Sequence, residues 1–193
     1  LSLWNTVFSI NRFTLNTIKN HFCCKKLVKI WLMYKYLYYI NIIYYYFLML
    51  TDKNFLSIAY EIAKASKCVS RWTGAVIVKD GRIVSTWYNG TPSWYVNCCD
   101  HFAGKYGPEH HDWSYKYEIH AEMNAIVWAA RKWLSIEWGT MYCTYEPCFD
   151  CTRAIIASGL KRIIFAEKYK HHKDTELKDF LDQTWVIIEQ IEL

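Results

Sequence analysis

Glu118-Ile119-His120-Ala121-Glu122 and, further on, Pro147-Cys148-Phe149-Asp150-Cys151 decide how this chain folds. Imidazole nitrogen and thiolate sulfur are ligands that zinc prefers, and three protein ligands leave the fourth tetrahedral position to water. His120, Cys148 and Cys151 supply such a set. Glu122 is not needed as a ligand and stands two residues from His120, placed to carry protons. Two blander readings compete: a closed structural zinc site, and a buried His and Glu with no metal. A lone Cys-x-x-Cys would leave these open. A His-x-Glu opening a helix, followed by a strand, a proline and a Cys-x-x-Cys opening another helix, is far more specific.

The spacing lets the two halves meet. A helix over 120–131 runs out about 18 Å at 1.5 Å per residue. A strand over 139–145 returns about 23 Å at 3.3 Å per residue. Both motifs then lie at the same end of a layer, each at a helix N-terminus, where positive dipole ends favour anions and lower thiol pKa values.

Around this pair the pattern is orderly. Phe55, Ile58, Ala59, Ile62 and Ala63 repeat at helical spacing and predict an amphipathic helix over 53–66. Gly74–Val78 and Ile83–Trp87 flank Lys79-Asp80-Gly81-Arg82, and an Asp-Gly pair between two β-rich runs marks a hairpin. Residues 88–118 show no period and read as a long loop rich in His, Cys, Gly and Pro; loops of that length are usually functional. The helix over 120–132 and the strand Thr140–Tyr145 follow. Pro147 opens a helix through Ala157, ended by Gly159. Lys161–Ala166 and Val186–Glu189 read as strands and 174–182 as a helix. The order α-β-β-α-β-α-β-α-β predicts a three-layer α/β domain around a mixed sheet of about five strands.

Residues 1–48 differ from the rest. They lack Asp, Glu, Pro and Gly, and seven of the sixteen tyrosines lie between Tyr34 and Tyr46. Three readings are open: an anchor or interfacial segment, translated sequence upstream of a start at Met49, and an unclassified extension. The uncharged run Tyr36–Leu50 falls short of the ~20 residues of a spanning helix, and a signal peptide would need a small-residue cleavage site. We expect an atypical leader over 1–48, poorly packed on a catalytic domain over 49–193. The charge divides at the same place. The first 50 residues carry Arg12, Lys19, Lys25, Lys26, Lys29 and Lys35 and no acid, whereas the remainder is close to neutral although the whole is +5. The basic balance therefore argues little for nucleic acid. Eight cysteines, two of them needed as thiolates, suit a reducing, cytoplasmic compartment.

With these residues in view, the chain resembles the cytidine/deoxycytidylate deaminase superfamily, most of all its phage-type deoxycytidylate members. The resemblance covers about 50–190. It rests on Gly74-Ala75-Val76-Ile77-Val78, Tyr88-Asn89-Gly90-Thr91-Pro92, Val96-Asn97-Cys98-Cys99-Asp100, Glu118 through Ile126, Met141-Tyr142, Glu146-Pro147-Cys148 with Cys151, and Lys168-Tyr169. The His-x-Glu with Pro-Cys-x-x-Cys is the superfamily's zinc signature. Tyr-Asn-Gly-x-Pro and Asn-Cys-Cys-Asp set the chain apart from free-cytidine and guanine deaminases. The uninterrupted Cys148-x-x-Cys151 sets it apart from the riboflavin-pathway enzyme.

The resemblance implies a three-layer α-β-α cytidine-deaminase-like fold and zinc-dependent hydrolysis of dCMP to dUMP and ammonia, feeding thymidylate synthesis. It implies zinc on His120, Cys148 and Cys151, with Glu122 as proton carrier. Asn89 would hold the sugar and base edge, and Tyr169 would line the nucleotide pocket. Asn89 also has a plain reading as turn chemistry. Ser70, Arg71 and backbone amides near Thr73 are candidates for the phosphate. Arg131 matches a nucleotide-sensing arginine, or is a solvated helix residue. A second, structural zinc would sit on Cys68, Cys98, His110 and Glu118, with Cys99, His101 and His111 as rival ligands. The family further implies homo-oligomers, often hexamers, with dCTP and dTTP as effectors, and no nucleic-acid or membrane partner. The compartment would be the cytoplasm, the host's if the chain is phage-encoded. Two other functions compete: a polynucleotide cytosine or tRNA adenosine deaminase, and an inactive zinc-binding relative.

One anomaly stands apart. Glycine is scarce, at 7 of 193 residues or about half the usual ~7%, while tryptophan reaches 10. Trp87, Trp94, Trp133, Trp138 and Trp185 fall where turns, helix ends or the family pattern ask for glycine, and a bulky residue is disfavoured at φ > 0. Either these are true tryptophans, or a UGA codon read here as Trp encodes Gly in the source organism. Trp113 and Trp128 fit as aromatic residues.

Overall fold

The computed structural model describes residues 31–39, 50–168 and 174–193. Two compact units divide the chain, Leu1–Met49 and Leu50–Leu193. In the first, residues 31–39 are helical, with Lys35 Nζ 5.1 Å from the Trp31 ring centroid. Met49 and most of the uncharged run up to Leu50 lie outside the described residues. Among the described residues no helix is long and apolar enough to cross a membrane.

The second unit is built on a five-stranded mixed sheet in the order β2-β1-β3-β4-β5. Its strands are β1 (Gly74–Lys79), β2 (Arg82–Tyr88), β3 (Thr140–Tyr145), β4 (Arg162–Glu167) and β5 (Ile187–Gln190). β1 runs antiparallel to both β2 and β3, whereas β3, β4 and β5 are parallel. The helices are α1 (Asp52–Ala63), α2 (Cys98–His101), α3 (His110–Tyr117), α4 (Ala121–Arg131), α5 (Phe149–Ala157) and α6 (Asp174–Asp182). The expected element order is present, with the two short helices α2 and α3 inside the stretch expected to be a structureless loop.

Strand alternation sorts the core into two faces. Val76, Val78, Tyr142 and Ile164 pack under α1 with Phe55, Leu56 and Ala59. Ala75, Ile77, Met141, Cys143, Ile163 and Phe165 face α4, α5 and α6, meeting Ala125, Ala129, Ile155, Leu177 and Leu181. The sheet is therefore covered on both sides, which gives the three layers. Gly74 lets α1 come this close: a Cβ there would lie 2.0 Å from the Ala59 carbonyl oxygen. The Asp-Gly hairpin forms as read, with Lys79 opposite Arg82 and Asp80 and Gly81 at φ 52° and 72°.

α1 is shorter than expected, ending at Ala63 because Ala65 and Ser66 donate back only three residues, to Ile62 and Ala63. Its start is fixed twice. Thr51 and Asn54 form a reciprocal capping box. Asp52 then receives two hydrogen bonds of 3.0 Å from Arg162 on β4 and one of 2.7 Å from Tyr142 on β3. Arg162 also donates to Glu189 on β5 at 2.6 and 2.8 Å. This network clips one helix to three strands.

Burial pushes the Asp52 carboxyl up, but the hydrogen bonds from Arg162 and Tyr142 and the Arg162 charge outweigh it and hold the group below its ordinary value. A carboxyl depressed in this way stabilises the fold above its unfolded pKa, and that contribution disappears as pH falls through the folded value. Asp52→Asn should therefore cost about 1 kcal/mol at pH 7, the figure being small because the pair is partly solvated. In paired urea titrations the gap between wild type and variant should close as the pH falls from the ordinary aspartate range through the lowered folded value.

Candidate active site

The two motifs meet at the N-termini of adjacent helices. His120 is the N-cap of α4 and Cys148 the N-cap of α5. Pro147 lies one residue before that cap, outside the helix it was expected to open. The Cys148 Sγ takes over the capping role by accepting from the Cys151 N–H at 3.5 Å. His120 Nδ1 lies 3.5 Å from Cys148 Sγ and 3.3 Å from Cys151 Sγ. All three donor atoms fall within 4.8 Å of one another. Zinc with Zn–S near 2.3 Å and Zn–N near 2.0–2.1 Å spaces its ligands by roughly 3.5–3.8 Å, so this set fits the ion. His120 is exposed, Cys148 half-buried and Cys151 buried, so the set is reached from solvent on the histidine side.

The charges agree with a cation site. The hydrogen bond from Cys151, then that from His120, brings the Cys148 thiol down to about 4 against the opposing effect of burial. The same partnership, with burial, pushes Cys151 up. Cys148 also raises His120 to about 9. The lowered Cys148 thiol supplies the anionic sulfur that a divalent cation would bind.

Glu122 sits behind this set at 3% exposure, with Oε2 3.7 Å from Cys151 Sγ. Burial raises its carboxyl, although the His120 charge opposes this. A carboxyl that readily holds a proton beside a metal set is equipped to pass protons.

Cys68, Cys98, His110 and Glu118 form a second cluster whose donor atoms also lie within 4.8 Å of one another. Cys68 Sγ is 3.4 Å from His110 Nε2. Burial raises Cys68 and pushes Cys98 up to about 12. Glu118 Oε1 is buried without a hydrogen-bond partner. Two sulfurs, an imidazole and an orphaned carboxylate oxygen suit zinc. The rivals are drawn elsewhere: His101 stacks on Trp113 at 4.6 Å, Cys99 contacts Asp100, and exposed His111 pairs with Asp112.

Asn89 is buried, and its amide grips the neighbouring segment. Its Oδ1 accepts from the Thr73 N–H at 2.8 Å, and its Nδ2 donates to the Arg71 carbonyl at 3.0 Å. The Thr73 amide is thus already committed, which removes it from the expected phosphate donors. Ser70 and Arg71 are exposed on the same segment, and the Arg71 guanidinium lies 4.9 Å from the Tyr145 ring centroid. Arg131, in the last turn of α4, stacks over Trp128 at 5.7 Å. Tyr169 lies outside the described residues.

Asn124 escaped the reading by residue type. Its Nδ2 donates to the carbonyls of Tyr88 at 3.1 Å and Ile119 at 3.3 Å. It thereby braces the antiparallel bridge in which Gly90 and Ile119 exchange hydrogen bonds of 3.1 and 2.9 Å. The signal was available: position 124 lies one turn after His120 on the same helix face.

Residues 49–167 match the cytidine and deoxycytidylate deaminase zinc-binding region. The deoxycytidylate deaminase of Enterobacteria phage T4 is 42% identical, the match covering 61% of this chain and 78% of that protein. That of Mycobacterium phage D29 is 35% identical over 61% and 94% of the two chains. The crystal structure of a cyanophage S-TIM5 dCMP deaminase, with dCMP and dUMP bound, shares 31% identity. It superposes with a TM-score of 0.59 over 72% of this chain and 95% of that one. The His-x-Glu and Pro-Cys-x-x-Cys that open α4 and α5 are the signature of zinc-dependent nucleobase deaminases. The chain belongs to the cytidine and deoxycytidylate deaminase family.

His120→Ala and Cys148→Ala should abolish stoichiometric zinc at the first set, measured by atomic absorption on purified protein, whereas Glu122→Gln should retain it. Asn124→Ala removes about 1 kcal/mol of bracing, so amide exchange at Gly90 and Ile119 should accelerate about fivefold.

Proposed function

We propose that this chain deaminates dCMP hydrolytically to dUMP and ammonia. One observation carries the proposal: a solvent-reached His120–Cys148–Cys151 set backed by a buried Glu122, on a fold that superposes on a deaminase holding dCMP and dUMP. When bound there, zinc supplies a Lewis acid that makes water a competent nucleophile near neutral pH.

The chain's own residues do the rest. Water adds at C4 of the cytosine ring, and the exocyclic amine leaves as ammonia. Glu122 takes the proton from the water, passes it to the ring nitrogen, and delivers a proton to the departing amine. Burial of Glu122 suits this duty because both of its protonation states must be accessible. Asn89 spends one lone pair and one N–H on the 71–73 segment, which leaves one of each for the deoxyribose and base edge. Arg71 and Ser70 on that segment are the phosphate candidates, and Tyr169 is assigned to the nucleotide by the family resemblance alone.

The second cluster holds a structural zinc on Cys68, Cys98, His110 and Glu118, closed by four protein ligands. It orders the 88–118 segment and steadies the chain before Arg71. The catalytic unit occupies 49–193, works as a homo-oligomer in the cytoplasm, and answers to dCTP and dTTP with Arg131 in the effector site. These last statements extend the family resemblance to this chain.

Glu122→Gln should lower kcat for dCMP by about 10²–10⁴ without loss of zinc. The full chain, offered dCMP, cytidine and single-stranded DNA with ammonia release followed, should turn over dCMP. Turnover of DNA alone would overturn the proposal. The purified chain should carry a second zinc equivalent that Cys98→Ala loses, together with a lower melting midpoint.

A further inference from the structure

Three indoles occupy backbone positions that belong to glycine. Trp94, Trp133 and Trp138 have φ of 74°, 58° and 67°. Only a few per cent of non-glycine residues adopt positive φ, and for a bulky residue it is an outlier. Among the described residues the other non-glycine cases are Asp80 and Ala103. Tryptophan thus enters the left-handed region as often as glycine does, since Gly81, Gly104 and Gly159 are the glycines found there.

The hydrogen bonds name the motif in each case. Trp133 follows Lys132, the C-cap of α4. Its N–H bonds to Ala130, and the next N–H, of Leu134, bonds to Ala129. That pair of bonds is the Schellman motif, whose C′ residue is left-handed and usually glycine. α5 ends on the same position with Gly159 at φ 85°. At Trp138, the Gly139 N–H bonds to the Ile136 carbonyl, which makes Trp138 the third residue of a β-turn. At Trp94, the Tyr95 N–H bonds to the Pro92 carbonyl and places Trp94 likewise. A positive φ at the third residue alone marks a type II turn, which asks for glycine there.

The side chains gain little that would offset the strain: the one ring contact among them is Lys161 Nζ, 5.1 Å from the Trp138 ring centroid. Trp94, Trp133 and Trp138 are 104%, 92% and 72% exposed. Trp113 and Trp128 show what a functional tryptophan does in this fold. Trp113 packs against His101, Phe102 and Tyr117, and Trp128 against Trp87. Trp87 itself lies in β2, stacked 4.8 Å from Trp128, and needs no glycine. Trp185 is exposed but outside the left-handed region, so its backbone makes no such demand.

We infer that the polypeptide made in the source cell carries glycine at positions 94, 133 and 138, the codon at each being UGA decoded by a glycine tRNA. One decoding rule accounts for three strained turns and three exposed indoles, and it lifts the low glycine count from 7 to 10. The inference does not depend on the substrate of the active site.

The gene sequence and the cell's own protein test it. The codons at 94, 133 and 138 should be UGA and those at 113 and 128 UGG. Peptides from protein isolated from the source cell should carry glycine masses at the three positions. UGG codons there, or tryptophan-containing peptides, overturn the inference. The full chain also reports physically. The triple variant Trp94→Gly, Trp133→Gly, Trp138→Gly should melt roughly 10 °C higher than the chain as written, from the relief of three left-handed residues. Trp128→Gly should lower the midpoint. An unchanged or lower midpoint in the triple variant overturns the claim that these turns require glycine.

Discussion

Two helices begin at the same place, and the chemistry depends on that coincidence. His120 and Cys148 are both N-caps, so the segments that deliver the donor atoms are extended just before each helix and cannot drift along it. The positive dipole ends of both helices therefore lie at the same donor set, where they favour thiolate. The placement follows from the sheet. β3 returns from the far end of α4 and delivers Cys148 beside His120. Burial of Ala125, Ala129 and Ile155 under the same sheet face holds α4 and α5 side by side.

A second layer of organisation joins this end to the surrounding loops. Ser66, Thr73, Asn89, Gly90, Ile119 and Asn124 are linked in a chain by hydrogen bonds between 2.8 and 3.3 Å and by the Asn89–Gly90 peptide bond. Ile119, the residue before His120, is therefore tied to Gly90, the residue after Asn89. The Cys68 cluster sits at the other end of the same chain. Positioning is shared across segments that lie far apart in sequence, so no single loop sets the geometry.

Much of this was legible in the residues, and what was not has identifiable causes. β1 and β4 read clearly because their middles are buried on both faces and apolar, and β3 because its buried middle is rich in β-forming residues. The paired helix starts were legible from segment lengths alone. The two short helices at 98–101 and 110–117 were not, because α3 has no apolar stripe to betray a period. Its partners are rings and donors: Trp113 against Tyr117 and His101, and His110 turned into the Cys68 cluster. Asn89 was singled out by its residue type, but its grip on the Thr73 amide and the Arg71 carbonyl depends on how segment 71–73 folds back, which residue type cannot reveal. Asn124 was hidden in plain view, because an asparagine within a helix has many bland explanations.

The residue ranges of the two donor sets also fix an order in time. Cys68, Cys98, His110 and Glu118 are all N-terminal to His120, whereas the other set is complete only at Cys151. Synthesis proceeds from the N-terminus, and the β1–β2 hairpin pairs locally while β3 and β4 must wait for a crossover helix. The nascent chain therefore presents one full set of thiol, imidazole and carboxylate donors while Cys148 and Cys151 have yet to be made.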